Sequence, residues 1–406
     1  MNKIFSKNTI SIIVIIISFV FKGLSQNTGG YQYSSSDLNT ITTAVPFLLI
    51  SPDARASGYG DAGVATIPDI NSQHWNPAKY AFLEKKAGIS LSYSPWLRAL
   101  INDINYGYLA AYYKPDDKSA VAISVRYFSL GDITFSNING TVIGTMHPYE
   151  YAADASYSRK LSDKLSLGFA FRYIFSDLTN GMNITGVHSG RSFAGDISMF
   201  YSKPICVFNN ESKLNFGMNI SNVGSKISYT TSTSEGDFIP INLRLGSALS
   251  MDLGGRSQLS LMLDFNKLLV PSPPVYQLDS NNYPVIGSDG QPILAAGKDP
   301  NVSVLSGMLQ SFSDAPGGFK EEIRELMIST GIEYSYHKLF ALRSGFFYED
   351  KTKGNRKFFT LGAGIKYNVF GLDFAFLVPL EHNNPLENTF LFTLLFDFDA
   401  LKNKTE

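Results

Sequence analysis

About ten times along this chain, a run of roughly nine to eleven residues alternates large apolar with small or polar side chains. Lys164–Ser176 shows it best. Leu165, Leu167, Phe169, Phe171, Tyr173 and Phe175 face one way; Ser166, Gly168, Ala170, Arg172 and Ser176 face the other. Strict alternation marks a strand whose two faces meet different surroundings. A tilted strand of about nine to eleven residues just crosses a bilayer's hydrocarbon. An aromatic outer face over a small, polar inner face is what a transmembrane barrel requires. The expected fold class is therefore all-β, a 14-stranded antiparallel transmembrane β-barrel with a small N-terminal plug containing short helices.

Composition agrees. Only 17% of the residues are charged, below the roughly 25% of soluble domains, as a lipid-facing wall demands. The net charge of −1 gives no electrostatic case for nucleic acid, and outer-membrane lipid is the expected surrounding. A single cysteine, Cys206, excludes an intrachain disulfide; it is expected to be buried or lipid-facing. Lys3, Lys7, the apolar stretch Ile10–Phe21 and the small residues Gly23 and Ser25 read as a signal peptide over 1–25. The expected location is the outer membrane of a Gram-negative-type envelope.

Residues 26–86 do not alternate. They hold the Gly- and Ala-rich stretch Asp53–Ala65 and then Asn71–Ala78, ending in Asn76-Pro77-Ala78. This region reads as a compact plug with short helices, packed at one end of the barrel. The barrel itself is expected over 87–399. Its strands are expected at Ala87–Tyr93, Ile104–Tyr113, Ser119–Phe128, Tyr149–Ser158, Leu165–Phe175, Ser192–Tyr201 and Lys213–Ser221. The remainder are Ile239–Ser250, Gln258–Asn266, Leu326–Tyr336, Leu339–Tyr348, Lys357–Tyr367, Leu372–Val378 and Thr389–Phe398. Short connections alternate with long ones, the pattern of periplasmic turns and outer loops, which puts both termini in the periplasm. Lys203–Ser212 is long for a turn. The largest insertion, Lys267–Glu325, carries seven prolines and reads as a long extracellular loop.

Alternation places Arg126, Glu150, Asp154, Arg172, Asp196, Arg244, Asp264, Glu333, Arg343, Lys366 and Asp373 on the inner face. Arg126, Asp154, Arg172 and Asp196 change sign from strand to strand. Arg244 with Asp264, and Glu333 with Arg343, repeat the pattern. Neighbouring strands lie about 4.8 Å apart, and an unpaired buried charge is costly. The expectation is a structural charge network that braces the wall. An ion-selective ring would need one sign.

No catalytic, cofactor or metal motif stands out. The five histidines, His74, His147, His188, His337 and His382, fit no metal-ligand spacing, and there is no nucleophile elbow or P-loop. Trp75 and Trp96 read as packing or interfacial residues.

The Asn76-Pro77-Ala78 motif, the Gly/Ala-rich plug and the fourteen strands resemble the FadL-type outer-membrane transporters of hydrophobic compounds. The plug stretch Asn39–Ala78, containing AVPFLLISPDARASGYGDAGVATIPDINSQHWNPA, and strands such as AVAISVRYFSLGDITFSN (Ala120–Asn137) resemble more closely the PorV family of the Bacteroidetes type IX secretion system. That resemblance implies protein export. Such proteins associate with the type IX translocon barrel, collect secreted substrates carrying type IX C-terminal domains and pass them to a PorU-like sortase/attachment complex. It implies no enzyme activity; relatives have been linked to lipopolysaccharide deacylation, but no residue motif here supports it. The competing readings are a FadL-like transporter of small hydrophobic molecules and a lipid-modifying enzyme.

Overall fold

The computed structural model describes residues 38–180, 186–230, 236–254, 256–381 and 384–398. The signal peptide, the start of the plug and His382 lie outside the described residues. Strands in chain order are β1 (Ala87–Pro95), β2 (Asn105–Tyr113), β3 (Ser119–Ser129), β4 (Ile133–Ser136), β5 (Val142–Met146), β6 (Tyr149–Lys160), β7 (Leu165–Asp177), β8 (Gly190–Val207) and β9 (Asn210–Gly224). There follow β10 (Asn242–Asp252), β11 (Ser257–Leu268), β12 (Val275–Tyr276), β13 (Leu294–Ala296), β14 (Met327–Tyr336), β15 (Phe340–Tyr348), β16 (Lys357–Tyr367), β17 (Phe370–Pro379) and β18 (Phe390–Asp397). Fourteen of them form a closed antiparallel barrel, sealed where β1 pairs with β18 from Gly88↔Asp397 to Tyr93↔Phe392. Each strand expected from the alternation falls on one of these fourteen. Closure leaves no sheet edge in the wall, which lipid would not tolerate.

The period-2 pattern translates directly into two faces. Along β7, Phe169 and Phe171 are 54% and 59% exposed, while Ala170 between them is 8% exposed. Outward aromatics on adjacent strands meet at Tyr149–Phe175 and Tyr151–Phe175, with ring centroids 5.9 and 5.1 Å apart. Such cross-strand pairs stabilise a sheet beyond area alone.

The connections differ from expectation in two places. Lys203–Ser212 is not a long turn. Strands β8 and β9 continue through it and reverse at Phe208–Asn209, whose φ angles of 50° and 62° suit the tight hairpin turn that matches strand twist. This hairpin outruns its neighbour, since β7 pairs with β8 only as far as Leu165↔Tyr201. Cys206 stands on this overhang and is exposed, not buried. The long loop, for its part, is partly ordered: β12 pairs with β13, and two short helices, Val304–Gln310 and Phe319–Arg324, precede β14.

The plug is not packed at one end; it threads the barrel. Asn39 and Ala44 bond to Thr352 and Phe238 at the long-loop end. At the short-turn end, Lys114 Nζ donates to the carbonyls of Ala81 and Leu83. Two short helices, α1 (Ala54–Ser57) and α2 (Ser72–Trp75), lie between. Strand β1 thus begins, and β18 ends, at the short-turn end, as the parity of connections requires. The described chain starts at the opposite end, because parity counts strands and is blind to a segment running inside them.

Candidate functional site

The lumen carries two charge networks on opposite walls. On β3, β6, β7 and β8, Arg172 Nε lies 2.5 Å from Asp154 Oδ1, and Arg172 Nη2 lies 3.0 Å from Asp196 Oδ2. Arg126 Nη2 holds the other Asp154 oxygen at 2.8 Å, and Ser124 donates to it as well. Asn222 completes the group: its amide donates to Asp196, and its side-chain oxygen accepts from Arg172. Across the ring, Arg343 bridges Glu333 at 2.7 Å and Asp373 at 2.6 Å. All of these side chains are buried.

Arg244 and Asp264 do not pair with each other. Arg244 Nη1 donates to the carbonyl of His74 at 3.0 Å, and its guanidinium lies 5.2 Å from the Trp75 ring. Asp264 Oδ2 accepts from the amides of Gly63 and Val64 at 2.6 and 2.9 Å. Both charges are spent on the plug backbone, which alternation along the wall cannot see. Lys366, expected inside, sits at the short-turn rim, half exposed, and pairs with Asp397. Glu150 accepts from Ser176.

Every network reaches the plug. Arg55 of α1 bridges Glu333 at 3.0 Å and Asp69 at 2.9 Å. His74 lies between Arg126 Nη1 (3.1 Å) and Arg244 Nη2 (3.3 Å). Burial, together with those arginines, holds His74 well below the usual imidazole range, so its ring is neutral. Asn76 bonds in three directions: its Oδ1 accepts from Ala78 N, capping the Pro77–Phe82 turn, and its Nδ2 donates to the carbonyls of Val64 and Met199. Pro77 at the first position of that turn gives up no needed donor. Ala78 lies against the wall, its amide on Ser198 and its carbonyl on Ser166.

Contact is closest at the wall glycines. A Cβ on Gly345 would lie 2.0 Å from the carbonyl carbon of Tyr59, and one on Gly217 would lie 2.1 Å from the carbonyl oxygen of Val64. Gly331 and Gly168 meet Tyr59 and Ala78 in the same way. Plug backbone thus lies directly on wall backbone at four strands, β7, β9, β14 and β15.

Asp53 gives the plug a pH signature. It caps α1 through Ala56 N and accepts from Trp75 Nε1 at 2.7 Å. Burial, aided by Asp69, pushes its carboxyl up to about 7. An unfolded aspartate stays ionised down to about pH 3.9. Between pH 8 and 6.5 the folded plug therefore gains a proton that the unfolded chain does not, and stability rises as pH falls. Below about pH 6.5 the neutral His74 acts in the opposite sense, since the unfolded histidine protonates. Unfolding followed by tryptophan fluorescence should show a higher midpoint at pH 6.5 than at pH 8. A flat profile would count against a protonated Asp53.

Toward the long-loop end, two clefts of about 710 and 590 Å³ share Thr42, Thr43 and Pro46 in their lining. Over them the long loop is tied down by Lys353, which meets Glu321 and Glu325 at 2.5 and 3.0 Å, and by Lys267, which meets Glu322 and Glu325 at 3.1 and 2.6 Å. Its helices and the turn between them nevertheless leave Leu305, Leu309, Phe312, Phe319 and Ile323 exposed, by 52 to 79%. Among the described residues no group of three or more His, Cys, Asp or Glu could hold a metal ion. Sequence reasoning missed the glycine contacts and the tied loop. The only signal for the former was glycine recurring at small-face positions.

A family model for the type IX secretion system protein PorV matches residues 33–275. No curated protein sequence matches the chain. Among solved structures, a TodX deltaS2S3 mutant monoaromatic hydrocarbon channel is similar at 12% identity and TM-score 0.52, with 85% of this chain and 99% of that chain covered. The P. putida toluene transporter TodX is similar at 11% identity and TM-score 0.50, over 85% and 98% of the two chains. A Pseudomonas aeruginosa FadL homologue is similar at 11% identity and TM-score 0.41, over 89% and 100%. At such identities the likeness to the two TodX structures is one of fold.

Proposed function

The chain belongs to the PorV family of type IX secretion system proteins, and from that membership we propose that it is an export adaptor rather than a channel. It is an outer-membrane β-barrel component of type IX secretion. In the proposed role it binds the translocon barrel through its lipid-facing wall and collects secreted substrates by their C-terminal domains. It then passes them to the PorU-like attachment complex. The short-turn end faces the periplasm and the long-loop end the outside. The observation that carries this reading is the combination of a plug seated against the inner wall with apolar side chains displayed beyond the wall. Plug backbone lies directly against wall glycines of β7, β9, β14 and β15. Exposed leucine and phenylalanine on the loop helices suit a protein partner better than water.

Affinity purification from native membranes tests it. Recovery of a very large barrel together with secreted polypeptides is expected, and recovery of neither would end the proposal. Deleting Pro271–Gly318 should stop export or surface attachment while the barrel still assembles, as judged by its heat-modifiable mobility. The deletion spares Glu321, Glu322 and Glu325, and so the loop's ties to Lys267 and Lys353. Normal export by that variant would take the role from the loop. A second reading, transport of small hydrophobic molecules, is favoured by the apolar side of the smaller cleft, where Met327, Phe347, Phe358 and Leu377 converge.

A further inference from the structure

We infer that Thr40–Thr43 is a docking site for an extended polypeptide strand, held by main-chain hydrogen bonds in the clefts these residues line. This rests on the reading that the protein binds exported polypeptides, and names where they would be gripped. The segment is tied at both ends. Asn39 N donates to Thr352 O at 3.1 Å, and Asn39 Nδ2 donates to Pro273 O and Glu321 Oε1 at 3.1 and 2.9 Å. Five residues on, Ala44 N donates to Phe238 O at 2.9 Å. Between these anchors the backbone N–H and C=O groups of Thr40, Ile41, Thr42 and Thr43 have no hydrogen-bond partner among the described residues. Exposure alternates along the segment, with Thr40 and Thr42 exposed and Ile41 and Thr43 half-buried, which is the period of extended chain.

Thr42 and Thr43 line both clefts. An acyl chain filling either cleft would strip water from these peptide groups and give nothing back, at a cost of about 1–3 kcal/mol for each. A polypeptide carries its own N–H and C=O groups at matching spacing and can satisfy them. Strand addition works this way: main-chain bonds hold the ligand, and flanking pockets take alternate side chains. The pockets are present, with Phe128, Val270 and Pro274 in one cleft and Phe347, Phe358 and Leu377 in the other.

Hydrogen exchange on the full-length barrel, free and in complex with the exported polypeptides it co-purifies with, tests the site. The amides of Thr40–Thr43 should exchange roughly tenfold more slowly in the complex, the factor that about 1.4 kcal/mol supplies. Thr42→Pro removes a central donor yet keeps the preceding residue extended. It should cut polypeptide recovery roughly tenfold, while Thr42→Ser leaves recovery unchanged. Unaltered exchange in a complex that does form, or full recovery with Thr42→Pro, would overturn the site and leave the adaptor reading standing. Protection of these amides by added oleate but not by polypeptide would assign the clefts to small molecules. If the wild type recovers no exported polypeptide at all, the adaptor reading fails first and takes this inference with it.

Discussion

Replacing Gly345 with leucine should turn a closed barrel into an open one. The new Cβ would fall 2.0 Å from the carbonyl carbon of Tyr59 and 2.2 Å from the amide nitrogen of Gly60. Overpacking against side chains costs about 1–3 kcal/mol because rotamers can give way. Here the obstacle is plug backbone, whose neighbours are fixed by Gly60 N on Thr360 and by the Arg55–Glu333 pair. The wall has its own closed hydrogen-bond ladder and does not need the plug to close. The expected result is a barrel that still shows folded, heat-modifiable mobility but carries ion current in a planar bilayer where the wild type is silent. Gly107→Leu is the control, since nothing lies within 4 Å of a Cβ there. A silent Gly345→Leu pore would mean that close backbone contact is not what seats the plug.

Arg172→Ala should cost about 3–5 kcal/mol, the range for removing one member of a buried ion pair. Asp154 would keep Arg126 and Ser124, but Asp196 would be left with the amide of Asn222 as its remaining donor. Both carboxylates are buried, with side-chain exposures of 0%. The measurement is the temperature at which the folded band is lost on cold denaturing gels. Adding Asp196→Asn to Arg172→Ala should return much of the loss, because the carboxylate that lacked a cationic partner is then neutral, while Asp154 keeps its pair with Arg126. A midpoint that stays put in the single variant would refute the pairing.

These two predictions draw on different kinds of information. Arg172 was legible in the sequence. It stands between Phe171 and Tyr173 on the small face of an alternating run, and the neighbouring runs offer Asp154 and Asp196 on the same face. Sheet register then brings Asp154 directly opposite Arg172. Gly345 was not legible. It is one glycine among 34, and nothing nearby in the sequence says that Tyr59 will lie against it. The same difference separates Glu333–Arg343, which face each other in register, from Arg244 and Asp264, whose partners come from the plug. The Phe208–Asn209 turn was missed because neither flanking strand shows strict alternation once it leaves the lipid.

The sequence by itself determined the wall: fourteen strands, an aromatic outside, a charged inside and an outer-membrane home. That much is local, because a bilayer demands one face of every strand be apolar, and the demand repeats every second residue. Tertiary structure alone decided that segment 39–83 passes right through the barrel, that wall glycines receive its backbone, and that the peptide groups of Thr40–Thr43, beside two clefts, have no hydrogen-bond partner among the described residues. Those facts depend on contacts between residues as many as 339 positions apart, such as Ala54 N on Thr393 Oγ1, and a pairing over that distance leaves no period for a reader of the chain to find.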